Sequence, residues 1–208
     1  MTNSFIAIRG NHPGKAIEIF GTFNYSDTNG DKQFNNWQAF NDYLSDNYFE
    51  FAGKEIAIRG IWSGNGWTII SDPEMTDAIE EEALLELSNK LNTDVITFII
   101  QTTSNSFGFT VYSNDNIKRH FFSSDGEITD NLNTPLPEEN GLNISGSIFA
   151  DDIVALANNL GIDLEGKGNS IYIVKELAYN DEMKTTPEQF TQQQPPPADK
   201  KKPWWKIW

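Results

Sequence analysis

His120 stands beside Arg119 in the run IKRHFFSS (117–124) and is one of only two histidines in 208 residues. An imidazole close to a carboxylate is the simplest general base at neutral pH. Asp125, Glu127, Glu138 and Glu139 are the nearby acids that could form such a pair. Strand alternation sends one of Arg119 and His120 to the solvent face, and no nucleophile motif adjoins them. With 30 acidic side chains in the chain, an acid near His120 is expected by chance. No residue is therefore assigned a catalytic role. An enzyme using His120 and these acids stands as the alternative in another functional class.

Asp27-Thr28-Asn29-Gly30-Asp31 has the D-x-N-x-D rhythm of a calcium loop. Its sixth position is Lys32 instead of glycine, and its twelfth is Gln38 instead of a bidentate glutamate. A polar loop explains the segment better, and no metal ligand is assigned. The glycine-rich pieces SGNG (63–66) and EGKGNS (165–170) lack the strand–loop–helix setting of phosphate loops, so they read as turns and not as a cofactor site. The absence of cysteine excludes disulfides, thiolate catalysis and Cys-ligated zinc.

The chain closes with KKKPWWKIW, in which Lys200, Lys201, Lys202, Trp204, Trp205, Lys206, Ile207 and Trp208 form a cationic, Trp-rich tail. Three occupants suit it. Trp favours the headgroup level of a membrane, where each Lys adds about 1 kcal/mol. A hydrophobic groove on a partner protein would take Trp as its anchor. The acidic body of the same chain is the third.

That body bounds the partner class. The formal charge is −15, and residues 1–198 carry 29 acidic against 11 basic side chains. Such a body does not neutralise nucleic-acid phosphates, which argues against a nucleic-acid partner. Fourteen Phe, six Tyr and six Trp supply a core. The N-terminus shows no basic-then-apolar leader and no apolar run long enough to span a bilayer, which leads to the expectation of a cytoplasmic protein, peripheral at the inner membrane face if the tail binds lipid.

These features have to be positioned by an α+β domain. ALLELSNKL (83–91) ends an amphipathic helix, and VITFIIQT (95–102), FGFTVYS (107–113) and IKRHFFSS (117–124) form an antiparallel meander. Laying the helix on one sheet face would bury Leu84, Leu87, Leu91, Phe98, Ile100, Phe109 and Phe121 together. FIAIR (5–9) is a strand, and in residues 12–23 Ala16, Ile17, Ile19 and Phe20 suit a helical turn started near Pro13, the preferred reading, while IEIFGTF also suits a strand. Residues 24–34 are a polar loop, and NNWQAFNDYLSDNY (35–48) is helical. Residues 54–72 form a hairpin around Ser63-Gly64-Asn65-Gly66. The pentapeptide IAIRG occurs at 6–10 and again at 56–60, which predicts Ile inward and Arg leaving at the rim in both strands. Ser71-Asp72-Pro73-Glu74 has the residues of a helix start. Residues 128–147 are a long connection, ADDIVALANNLG (150–161) is a second firm helix, and SIYIVKEL (170–177) is a last strand. The predicted organisation is one domain over 1–180 with two to four helices on an antiparallel sheet. A disordered Pro/Gln-rich linker over 181–199 and the tail over 200–208 follow it.

GWTIISDPEM, the helix and meander up to PLPEE (66–139), and the following 150–161 helix resemble uncharacterised bacterial acidic α+β proteins of the immunity-protein type. The resemblance implies a non-catalytic inhibitor that meets a basic toxin through its acidic surface, and it supplies no site residues.

Overall fold

The computed structural model describes residues 2–142, 144, 148–168 and 170–180. β1 (Thr2–Arg9) leads through a 3-10 turn (Pro13–Lys15) into α1 (Ala16–Thr22). β2 (Tyr25–Asp27), β3 (Lys32–Phe34) and α2 (Trp37–Ala52) follow, then the hairpin of β4 (Ile56–Gly64) and β5 (Trp67–Ser71). A 3-10 turn (Asp77–Ile79) precedes α3 (Glu81–Leu91) and the meander β6 (Asp94–Gln101), β7 (Ser106–Ser113), β8 (Asn116–Ser124) and β9 (Glu127–Leu132). After a further 3-10 turn (Pro137–Glu139), α4 (Ala150–Asn159) and β10 (Tyr172–Tyr179) complete the fold.

The architecture is α+β, built on one large antiparallel sheet in the order β2-β10-β4-β5-β1-β6-β7-β8-β9, with β3 also paired to β10. Asn65 and Gly66 both have positive φ, 53° and 81°, the turn geometry whose twist matches a two-residue hairpin. Each sheet face is covered. α1 and α3 bury Ile19, Phe20, Leu84 and Leu87 against Ile6, Ile8, Val95 and Ile99. On the other face α2 and α4 bury Phe40, Leu44, Ile153 and Leu156 against Trp62, Phe98, Phe109 and Phe121. The expectation of a single joint cluster is thus corrected. Leu84, Leu87 and Leu91 lie on one face, while Phe98, Ile100, Phe109 and Phe121 lie on the other, as the pleat requires for residues of opposite parity.

Local chemistry seats each helix. The Asn36 side chain accepts the Ala39 N–H at 3.0 Å and starts α2. Gly60 lets α2 approach β4, because a Cβ there would overlap Phe40. The indole N–H groups of Trp62 and Trp67 donate to the carbonyls of Asp163 and Leu160, both at 3.2 Å, and tie the chain after α4 to the sheet. Asn92, at φ 48°, ends α3. Asp152 accepts the Phe149 N–H at 2.9 Å at the start of α4.

Four expectations fail locally. Residues 24–34 are not only loop, since β2 and β3 pair along β10. Residues 128–147 begin with an exposed strand, β9. The Ser71-Asp72-Pro73-Glu74 signal does not start the helix. Asp72 turns inward, and its Oδ2 accepts the N–H groups of Asp77 and Ala78 at 2.8 and 3.1 Å, which caps the 3-10 turn and delays α3 to Glu81. Arg59 does not leave at the rim. Its side chain is 0% exposed, whereas Arg9 of the first copy is exposed. Among the described residues no helix is long and apolar enough to cross a membrane. The linker 181–199 and the tail residues Lys200, Lys201, Lys202, Trp204, Trp205, Lys206, Ile207 and Trp208 lie outside the described residues.

Candidate functional site

β8 divides its two sequence candidates between the faces. Arg119 points into the α4 side, where Nε and Nη2 donate to Glu139 Oε1 and Oε2 at 2.8 and 2.9 Å. Its Nη1 also donates to Asn131 Oδ1 and to the Leu132 carbonyl, at 2.7 and 2.9 Å. This buried arginine pins both β9 and the Pro137–Glu139 turn, a structural duty. His120 faces the other way. Its Nδ1 meets Thr110 Oγ1 at 2.8 Å. It lies in a shallow groove of about 320 Å³ whose walls include Tyr112, Phe122, Glu81, Asp130 and Leu132.

The acids named from the sequence do not gather at His120. Glu139 is bound to Arg119 on the opposite face. Glu138 lies in the 3-10 turn, and its carbonyl accepts from Asn159. Asp125 sits in the tight turn after β8 at φ 52°, and Glu127 is exposed on β9. Glu81 and Asp130 line the groove instead. A hydroxyl, and not a carboxylate, holds the imidazole, so no acid–base pair is assembled among the described hydrogen bonds.

The surroundings of His120 form the least covered part of the sheet. α3 packs on β6 and β7, leaving β8 and β9 beyond it. All six residues of β9 are exposed, and β9 ends the strand order, so one of its edges is unpaired. In register, Leu132 stands opposite His120 and Asp130 opposite Phe122. Leu132 is 52% exposed and Ile79, on another wall of the groove, 66%. An apolar strip with carboxylates at Glu81 and Asp130 therefore adjoins an open strand edge. Binding, by hydrophobic contact, charge and strand addition together, is what this arrangement can do.

Two other polar clusters hold the fold. Arg59 Nε donates to Asp77 Oδ2 at 2.7 Å, and Nη2 donates to Tyr25 Oη and Thr76 Oγ1, both at 2.9 Å. Nη1 pairs with Glu74 Oε2 at 2.9 Å, and Asp72 Oδ1 lies 3.3 Å from Nε without an aligned hydrogen bond. Burial is the largest influence on Asp72. Offset only in part by Arg59 and reinforced by Asp77, it pushes the carboxyl up to about 6. Burial likewise raises the Tyr25 and Tyr179 hydroxyls. For Arg59, burial acts against the charge, but Asp72 and Asp77 outweigh it and keep the guanidinium protonated.

The second cluster occupies the calcium-like loop. Lys175 Nζ sits 2.9 Å from Asp27 Oδ2 and 2.7 Å from Asp31 Oδ2, so one ammonium already bridges the two carboxylates. Among the described residues no group of three or more His, Cys, Asp or Glu is placed to share a metal ion. Comparison of the chain with protein-family models, with curated proteins and with solved structures found no match.

Proposed function

We propose that this protein is a non-catalytic binding protein of the immunity or inhibitor type, which takes a basic protein partner on the open β8–β9 end of its sheet. The observation that carries the reading is the fully exposed edge strand Glu127–Leu132 beside an apolar groove flanked by Glu81 and Asp130. The edge sequence EITDNL holds two carboxylates and no cation, so a second copy of this chain would set like charges against each other across the seam. A strand or loop rich in Lys and Arg would not.

Charge over the body supports the same partner. Residues 1–180 hold 26 acidic and 10 basic side chains. Seven of those ten cations, Arg9, Lys54, Arg59, Lys118, Arg119, Lys167 and Lys175, are already in ion pairs. The unmatched carboxylates speed encounter with a cationic partner, and added salt weakens that attraction. A basic toxin such as a nuclease has the required chemistry.

The test is capture from a lysate of the producing organism with full-length bait, at low and at high salt. A cationic protein should be retained at low salt and released at high salt. It should be lost to a Glu81→Lys/Asp130→Lys bait whose thermal unfolding is unchanged. Capture indifferent to salt and to the charge reversal would overturn the proposal, as would the absence of any cationic partner.

A further inference from the structure

The α2/α4 face of the sheet carries a separate cleft, which the partner surface does not use. It holds about 390 Å³ and is walled by Phe5, Trp37, Ile100 and Val154, with the polar side chains of Asn3 and Asn41 also in its lining. A volume of several hundred Å³, apolar walls and a few convergent polar groups are the usual features of a small-molecule site.

One wall is fixed in advance. The 163–168 loop is held internally by Asp163, whose Oδ1 accepts the Glu165 N–H at 3.2 Å and whose Oδ2 accepts the Gly168 N–H at 2.8 Å. The Tyr172 hydroxyl meets the carbonyls of Gly166 and Gly168 at 3.1 and 3.0 Å. Gly166, at φ 63°, lies so close to the Trp37 ring that a Cβ would overlap it. Trp37 is braced in turn by Trp62, Phe40 and Tyr172, with ring centroids 5.2 to 5.4 Å away. A half-buried indole clamped on several sides loses little freedom when a ring is laid against it.

The polar groups select the ligand's charge. Glu165 and Lys167, the charged residues of the lining, are exposed and pair with each other at 2.5 Å. The side-chain amides of Asn3 and Asn41 have no protein hydrogen-bond partner among the described residues, and each offers donors and an acceptor. Neither a bound cation nor a bound anion would find an unpaired opposite charge there. We propose that this cleft binds a neutral, flat aromatic molecule bearing a hydrogen-bonding group, its ring against Trp37 and its polar edge toward Asn3 and Asn41.

Indole is a suitable probe, titrated into the full-length protein by calorimetry and by NMR of the side-chain amides. Saturable binding with Kd on the order of 0.1 to 1 mM is expected for so small a ligand. The Asn3 and Asn41 amide signals should move, and benzoate and benzylamine should bind at least tenfold more weakly. Val154→Trp, which fills the cleft from α4, should abolish binding, and Asn41→Leu on the helix surface should weaken it about tenfold. If Val154→Trp does not fold, Asn41→Leu decides. Absence of saturation, charged rings binding as well as indole, or full affinity in Asn41→Leu would overturn the proposal. Binding seen only in the full-length Trp204→Ala/Trp205→Ala/Trp208→Ala variant would also overturn it, by making the cleft a seat for the chain's own terminal indoles.

Discussion

Arg59 and Asp77 meet inside the sheet's α1/α3 face, Nε to Oδ2 at 2.7 Å, with side chains 0% and 4% exposed. The pairing converts the segment between β5 and α3 from a helix start into a buried, arginine-centred turn. It also separates two identical pentapeptides by environment. In IAIRG at 6–10 the arginine is exposed and lies 3.9 Å from Asp94, while in IAIRG at 56–60 it is enclosed by Asp72, Glu74 and Asp77.

The two arginines should therefore differ sharply in cost. Arg59→Ala leaves buried carboxylates without their cation and should lose about 3–5 kcal/mol in urea unfolding. Arg9→Ala removes a loose exposed pair and a cation–π contact over Trp67, and should lose less than about 2 kcal/mol. Equal losses would mean that the buried cluster does not organise this face.

Asp72 makes stability depend on pH in a definite direction. Unfolded, it titrates at the ordinary 3.8, and folded, burial pushes it up to about 6. Between those values the native state binds more protons than the unfolded one, so stability falls as pH rises through that window. The effect is up to about 3 kcal/mol. Carboxylates held low, such as Asp27 under the Asn29 N–H and Lys175, act oppositely and lose their contribution as pH falls. The informative quantity is the unfolding free energy of wild type minus that of Asp72→Asn, which should decline from pH 4 to pH 7. A constant difference would contradict the burial of an ionisable Asp72.

Gly60 sets the distance between α2 and β4. Gly60→Ala drives a methyl into Phe40 and Leu44 and should cost about 1–3 kcal/mol by overpacking, with a changed near-ultraviolet aromatic signal. Gly14→Ala meets open space and should stay within about 0.5 kcal/mol of wild type.

How far the fold is legible in the residues depends on where each partner lies. The 54–72 hairpin and the meander are readable because alternation and turn chemistry are local. VITFII even carries the sign of a strand buried on both faces, since Val95 and Ile99 are apolar on one parity and Ile96, Phe98 and Ile100 on the other. Counting parity there would have split the core correctly. β2 and β3 are three polar-rich residues each, ordered by β10 from about 150 positions away. β9 buries none of its six residues, so it leaves no hydrophobic pattern to find. Arg59 owes its burial to acids at 72–77 that look like helix caps in isolation. The groove at His120 was half visible, because His120 itself stands out, whereas Asp130 and Glu81 reach it only through strand register and the placement of α3.

The proposed recognition role is tested most directly by amide hydrogen exchange on the full-length protein, alone and with a cationic partner recovered by capture. Exchange over 127–132 should slow at least tenfold in the complex, while β10, enclosed by β4 and β2, stays unchanged. Protection confined to the α2/α4 face, with 127–132 exchanging as in the free protein, would contradict partner binding at the open end of the sheet.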